Sequence, residues 1–329
     1  MARLTSTGPT LQQVATLAGV SLATASRVLH GSGGRRVDPS LTSRVVDAAA
    51  QLRYVAHAPA QSLARSRSTM VGLLVHDIAD PYFAAIAAGA MRVAREHDLM
   101  VLVANTFRDP SLERDYVARL RAQRARAVLL AGSAFNDFSM AAELTAFAES
   151  GGRVAAIGGH GTGFDTVALD NFGGAQQVAQ HLVSLGHKRI GVICGPSTLA
   201  TSQSRLDGFA SVVKPVAVAE SDFTREGGHS AAVTLLRKHR PTAIFAHNDL
   251  MAVGALAALR ELGRTGVSVV GFDDLPVAVD VTPALTTVRL DLDAIGASAM
   301  ELVLSDHPPG RSISAEAVLV VRESTSPVG

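Results

Sequence analysis

The sequence predicts a small all-α head joined to an α/β body of two lobes, each built on a parallel sheet. Three observations carry this. Two short amphipathic helical stretches flank a glycine between Leu11 and His30. From Thr69 onward, apolar strand-like runs alternate with helical periodicity roughly every 25–30 residues, the pattern of βαβ units. The charge is also divided. Residues 1–69 hold eight arginines, two aspartates and no lysine, a net +6, while the rest hold 22 basic and 27 acidic groups, a net −5.

In the first stretch, Thr10 can cap a helix with its hydroxyl. Leu11, Val14, Ala15 and Ala18 then share one face at three- and four-residue spacing. Gly19 supplies the left-handed residue that ends a helix, Val20 plugs the corner, and Ser21 caps a second helix. Ala25, Val28 and Leu29 turn inward, leaving Leu22, Ala23, Ser26, Arg27 and His30 outward. This is a helix-turn-helix. Periodicity alone fits equally a helical hairpin that only packs. The basic head on an acidic body favours a polyanion partner.

Gly31-Ser32-Gly33-Gly34-Arg35-Arg36 reads as a basic loop suited to phosphates. Asp38 caps a third helix with Pro39 at its first position, and Leu41, Val45, Ala48, Ala49 and Leu52 form its apolar stripe. Tyr54 to Ser68 is a linker in which Ala60–Arg65 can make a helix too short to stand alone.

The body then reads in order. Strands are expected over 70–75, 99–104, 127–131, 153–157 and 166–169, with helices over 82–97, 111–123 and 140–150 between them. A second series places helices over 172–185, 203–212, 227–238 and 250–262. Its strands run over 189–194, 215–219, 243–247 and 267–272. The chain returns through 285–289, a helix over 293–305 and a last strand over 317–322. Ligands of parallel α/β lobes bind beyond the carboxyl ends of the strands. His76, Asp77, Asp80, Pro81, Tyr82 and Phe83 fall there in the first lobe, and Asn248 and Asp273 in the second.

The segment Thr10-Leu11 … Val14-Ala15 … Ala18-Gly19-Val20-Ser21 … Thr24 … Ser26-Arg27-Val28-Leu29 resembles the opening of LacI/GalR-type transcriptional regulators. Later motifs extend the resemblance over residues 10–326. It departs at Ala25, where a valine is usual, and at His30, where an asparagine is usual. The resemblance implies a DNA-binding head over 9–56, a hinge over 57–68 and an effector-binding, dimerising body over 69–329. The body is similar to periplasmic binding proteins. Its first lobe is expected to hold about 69–168 plus 291–312, and its second about 169–290 plus 313–329.

The same resemblance implies the partners: a pseudo-palindromic operator duplex, a small-molecule effector and a second copy of the chain. It places Leu22, Ala23, Arg27 and His30 at base edges and Thr10, Ser21, Thr24, Ser26 and Tyr54 at phosphates. Leu63 becomes a minor-groove wedge in a hinge helix. Effector contacts are implied for His76, Asp77, Phe83, Thr201, Arg205, Phe223, Asn248 and Asp273. Arginine's forked donors suit hydroxyls or a carboxylate, and Phe223 offers a stacking wall. A sugar or nucleoside is the expected effector.

Other classes fit less well. There is no Gly-rich phosphate loop, nucleophile elbow or metal-spaced His/Cys cluster, so neither an enzyme nor a cofactor or metal site is expected. His160, His181 and His187 are scattered. The single cysteine, Cys194, lies in an apolar strand run and excludes an intramolecular disulfide. No apolar run reaches the roughly 20 residues a membrane span needs, and no secretion signal opens the chain, so a cytoplasmic protein is expected. A periplasmic-type binding protein without a DNA role is the alternative; it would not need the basic head.

Overall fold

A computed structural model describes residues 8–30, 37–54, 68–132, 138–158, 163–264 and 266–328. The basic loop 31–36, Leu63 with the rest of 55–67, and His160 lie outside the described residues, as does the side chain of His30.

The head has α1 (Leu11–Ala18), α2 (Leu22–His30) and α3 (Pro39–Gln51). Val14, Ala15, Ala18, Ala25, Val45, Ala48 and Ala49 are buried between them, with Leu11, Val20, Val28, Leu29, Leu52 and Tyr54 at the rim. Alanines and valines bury little area each, so local bonds fix the geometry. The Gln13 amide N–H donates to Thr10 Oγ1 (3.3 Å), and the Thr10 amide N–H donates to Gln13 Oε1 (2.7 Å), a reciprocal cap. Gly19 sits at φ 63°, the left-handed turn conformation. From α3, Arg44 donates to the Ala18 carbonyl (2.5 Å) at the end of α1. Asp38 caps α3 through the Ser40 amide (2.8 Å).

The first lobe is built from β1 (Met70–Val75), α4 (Pro81–Glu96), β2 (Met100–Asn105), α5 (Pro110–Ala122), β3 (Ala127–Ala131), α6 (Phe138–Glu149), β4 (Arg153–Ile157) and β5 (Asp165–Leu169). The second contains α7 (Asn171–Ser184), β6 (Ile190–Cys194), α8 (Ala200–Ala210), β7 (Ala217–Glu220), α9 (Arg225–Lys238), β8 (Ala243–Ala246), α10 (Asp249–Glu261), β9 (Ser268–Val270) and α11 (Val277–Asp280). The chain closes with β10 (Thr287–Leu290), α12 (Leu292–Leu304), β11 (Ser312–Ala315) and β12 (Ala317–Val320).

All pairings in the first sheet, ordered β11-β5-β4-β3-β1-β2, are parallel, as are those in the second, ordered β7-β6-β8-β9. β10 and β12 form an antiparallel ribbon. The chain passes between lobes near Asp170, near Asp291 and at Glu316. The last passage corrects the expected boundary. Ser312–Ala315 pairs with β5, so residues 313–315 belong to the first lobe rather than the second. Four alternating residues, exposed and half-buried in turn, give too short a run to stand out before the apolar β12. α8 also starts at Ala200 rather than 203, because its first turn has no side-chain cap to mark it.

Within each lobe, helices pack closely through glycine. A methyl on Gly89 of α4 would land on the Asp293 carbonyl, and one on Gly296 of α12 on the Ile86 carbonyl. The reciprocal contact brings α4 and α12 together under the first sheet.

Candidate functional site

The head presents one face of α2. Leu22, Ala23 and Arg27 are exposed, whereas Thr24 and Ser26 are half-buried. Ser21 and Thr24 spend polar atoms on the helix start: the Thr24 amide donates to Ser21 Oγ (3.1 Å), and the two hydroxyls lie 2.9 Å apart. Thr10 is exposed at the start of α1, and Tyr54 lies half-buried beside α3.

A second site forms where the carboxyl ends of the two sheets face each other. Its centre is Arg205 of α8, only 2% exposed. Its Nε donates to Asn171 Oδ1 (2.8 Å), Nη1 to the His247 carbonyl, and Nη2 to Asp273 Oδ1 (3.2 Å). The guanidinium lies over the Phe272 ring, 3.6 Å from its centroid. Asp273 has φ 109° and Asp274 φ 57°, both left-handed, at the turn beyond β9. Burial, opposed by the Arg205 charge and reinforced by Asp80, pushes the Asp273 carboxyl up to about 7. Burial, then Asp273, pushes the Tyr82 hydroxyl well above the usual phenol range. Burial likewise raises Asp80, which caps α4 through the Tyr82 amide (2.9 Å). Asp80 and Tyr82 of the first lobe thus face Arg205 and Asp273 of the second.

A further contact crosses between the lobes. The Arg108 guanidinium lies 5.5 Å from the centroid of Phe223. Phe107 and Arg108 are both left-handed, at φ 51° and 58°, which places Arg108 beyond the end of β2. Phe223 itself leans on Gly195: a methyl on Gly195 would strike its ring.

The remaining expected contacts divide. Asp77 is exposed, and Thr201 is half-buried in the first turn of α8. His76 is buried, with Nδ1 3.3 Å from Thr106 Oγ1 and Nε2 bonded to the Gly132 carbonyl. Burial lowers its pKa, so it ties β1, β2 and β3 together as a neutral ring. Phe83 is buried edge-on to His76 and Tyr82 within the core. Asn248 is 4% exposed; its Oδ1 caps α10 through the Met251 amide (2.9 Å) and its Nδ2 reaches the Phe223 carbonyl (3.4 Å). Its side chain therefore sets the loop beside Phe223.

Sequence reasoning did not single out Asn171, Arg108 or His247. Asn171 and Arg108 gave no motif. His247 preceded Asn248 in the sequence, but only its buried carbonyl does work for Arg205. Among the described residues, no group of histidine, cysteine and acidic side chains is spaced for a metal ion, and no helix is long and apolar enough to cross a membrane.

A family model for the periplasmic binding proteins and sugar binding domain of the LacI family matches residues 68–318, and one for bacterial regulatory proteins of the lacI family matches residues 10–57. The chain belongs to the LacI family. This LacI-family chain is 35% identical over 308 residues to the HTH-type transcriptional regulator GalS of Salmonella typhimurium, covering 90% of this chain and 89% of that protein. Among solved structures it is similar to the lac repressor dimer bound to operator and the anti-inducer ONPF. The TM-score is 0.83 at 25% identity, covering 97% and 99% of the two chains. It is also similar to the transcriptional regulator CelR in complex with cellobiose, at TM-score 0.70 and 29% identity, covering 96% and 100%. The chain is a LacI-type transcriptional regulator with a helix-turn-helix head and an effector-binding body, and not an enzyme.

Proposed function

We propose that the protein is a dimeric repressor that binds a pseudo-palindromic operator and is controlled by a small, polar, uncharged effector held between its lobes. One observation carries this reading. A single chain joins a basic head with Arg27 outward to a body in which Arg205 and Asp273 face Asp80 and Tyr82 across the lobes. Buried carboxyls opposite one guanidinium offer acceptors and donors for hydroxyl groups, and repel an anionic ligand. A sugar or nucleoside has that chemistry, and the similarity to a cellobiose-bound regulator supports the sugar.

In this reading the head spans 9–56, the hinge 57–68 and the body 69–329. Arg27 pairs with guanine in the major groove. Thr10, Ser21, Thr24, Ser26 and Tyr54 lie at phosphates, and Leu63 wedges the minor groove. Arg205, Asp273, Thr201 and Phe223 meet the effector, with Asp77 at the edge. His76, Phe83 and Asn248 support that site from beneath. The effector shifts the lobe arrangement by its differing affinity for two states. The similarity to a lac repressor dimer supports the homodimer, and the exposed Met100 and Leu102 of β2 offer an apolar edge for it. A protein that acts on the chromosome works in the cytoplasm.

The test is selection of duplexes from a random pool, followed by binding against salt concentration. A preferred duplex with steep salt dependence is expected, and Arg27→Ala should lose the preference while keeping non-specific binding. Full-length protein that enriches no duplex overturns the reading.

A further inference from the structure

We propose that Leu22 reads a thymine in each operator half-site through the C5-methyl group, so that the outer face of α2 recognises a methyl where a hydrogen-bonding side chain would otherwise read a base edge. This rests on the operator-binding reading above. Leu22 is the first residue of α2 and is 46% exposed. The N-terminal residues of the second helix are the ones that reach base edges in a helix-turn-helix. A lone exposed leucine is ordinary on a protein surface; its neighbours make this one informative.

Ala23, also exposed, has neither donor nor acceptor. The hydroxyls of Ser21 and Thr24 lie against each other at the helix start. Ser26 is half-buried. Arg27 is therefore the one exposed, charged hydrogen-bonding group among the described side chains of α2. Positions 22 and 23 offer the groove only apolar surface, and the short Ala23 side chain lets Leu22 approach the groove floor.

The major groove displays one apolar group, the thymine methyl. An apolar contact there discriminates thymine from cytosine by a methyl and from purines by shape. Leu17, in the last turn of α1, is a further exposed leucine beside the turn, at 48%.

The experiment uses the full-length protein and the duplex that selection yields. Each thymine of one half-site is replaced in turn by 2′-deoxyuridine, which removes only the methyl, and affinity is measured at fixed salt. One position is expected to lose about four- to tenfold, the scale of one buried methyl with its cavity, and the others less than twofold. In Leu22→Ala, which keeps a helix former at an exposed position, that penalty should shrink to under twofold while Arg27-dependent preference for guanine remains. Uridine tolerated at every position overturns the proposal, and so does a penalty of unchanged size in Leu22→Ala. Failure to select any duplex would instead count against the operator-binding reading itself.

Discussion

Replacing Arg205 with methionine isolates the ion pair at the centre of the body. The change keeps much of the side-chain volume over Phe272 and deletes the bonds to Asn171, the His247 carbonyl and Asp273. Two buried acceptors, Asn171 Oδ1 and the His247 carbonyl, lose this donor, at about 1–3 kcal/mol each. Asp273 behaves differently, because its carboxyl already sits at about 7 with Arg205 holding it down. Without that cation it rises further and stays protonated at neutral pH, adding only a few tenths of a kcal/mol there. Above pH 7 the two proteins diverge. The wild-type carboxyl is ionised beside Arg205, and its contribution stops changing. The variant holds a proton that the unfolded chain releases near 3.8, the ordinary carboxylate value. Its folded state then binds more protons than its unfolded state, so stability falls as pH rises, by about 1.4 kcal/mol per unit. The stability gap is expected at about 2–6 kcal/mol at pH 7 and roughly 2–3 kcal/mol wider at pH 9. Urea denaturation followed by circular dichroism at pH 6, 7, 8 and 9 measures it. Adding Asp273→Asn to the variant should flatten the extra slope. A gap that does not change with pH would refute the assignment of Asp273 as Arg205's buried, proton-holding partner.

Three further outcomes follow from the same geometry. Thr10→Ala removes the reciprocal cap of α1 and should cost about 1 kcal/mol, read as faster hydrogen exchange at the Gln13 and Val14 amides; unchanged exchange would mean the cap is not formed. Gly89→Ala forces the Asp293 carbonyl away from α4 and should lower stability by about 2–3 kcal/mol in thermal unfolding, while an unchanged melting temperature would show the helices are not so close. A double-mutant cycle of Arg108→Ala and Phe223→Ala should show a coupling of about 0.5–1 kcal/mol, and strict additivity would remove their contact across the lobes.

Much of this architecture was legible in the sequence because it rests on local signals. Thr10, Gly19, Ser21 and Asp38 each mark a helix end by their own chemistry, and the structure uses all four as expected. The buried face of α1 followed from spacing alone. The inner strands β1, β3, β4, β6 and β8 stood out as apolar runs because both of their faces are covered. What escaped depends on contacts distant in sequence. β11 is a strand through its partner β5, more than a hundred residues earlier, and carries no apolar run of its own.

The body site shows the same division. Asp273 was named from its place after a strand, Arg205 from family resemblance, and they meet. His76, Phe83 and Asn248 occupy strand-end positions too, but their side chains turn to protein partners. Position after a strand does not fix which way a side chain turns. Arg108 reaches Phe223 only because two successive left-handed residues redirect the chain, a conformation that Phe107 and Arg108 do not announce.

The most direct test of the whole account is reciprocal. Calorimetry would measure the affinity of a neutral sugar or nucleoside, chosen by thermal-shift screening, with and without saturating operator duplex. The account predicts that the duplex changes ligand affinity by the same factor by which the ligand changes operator affinity, on the order of 5–150-fold. Equal ligand affinities in the two titrations would contradict control of the head by the body.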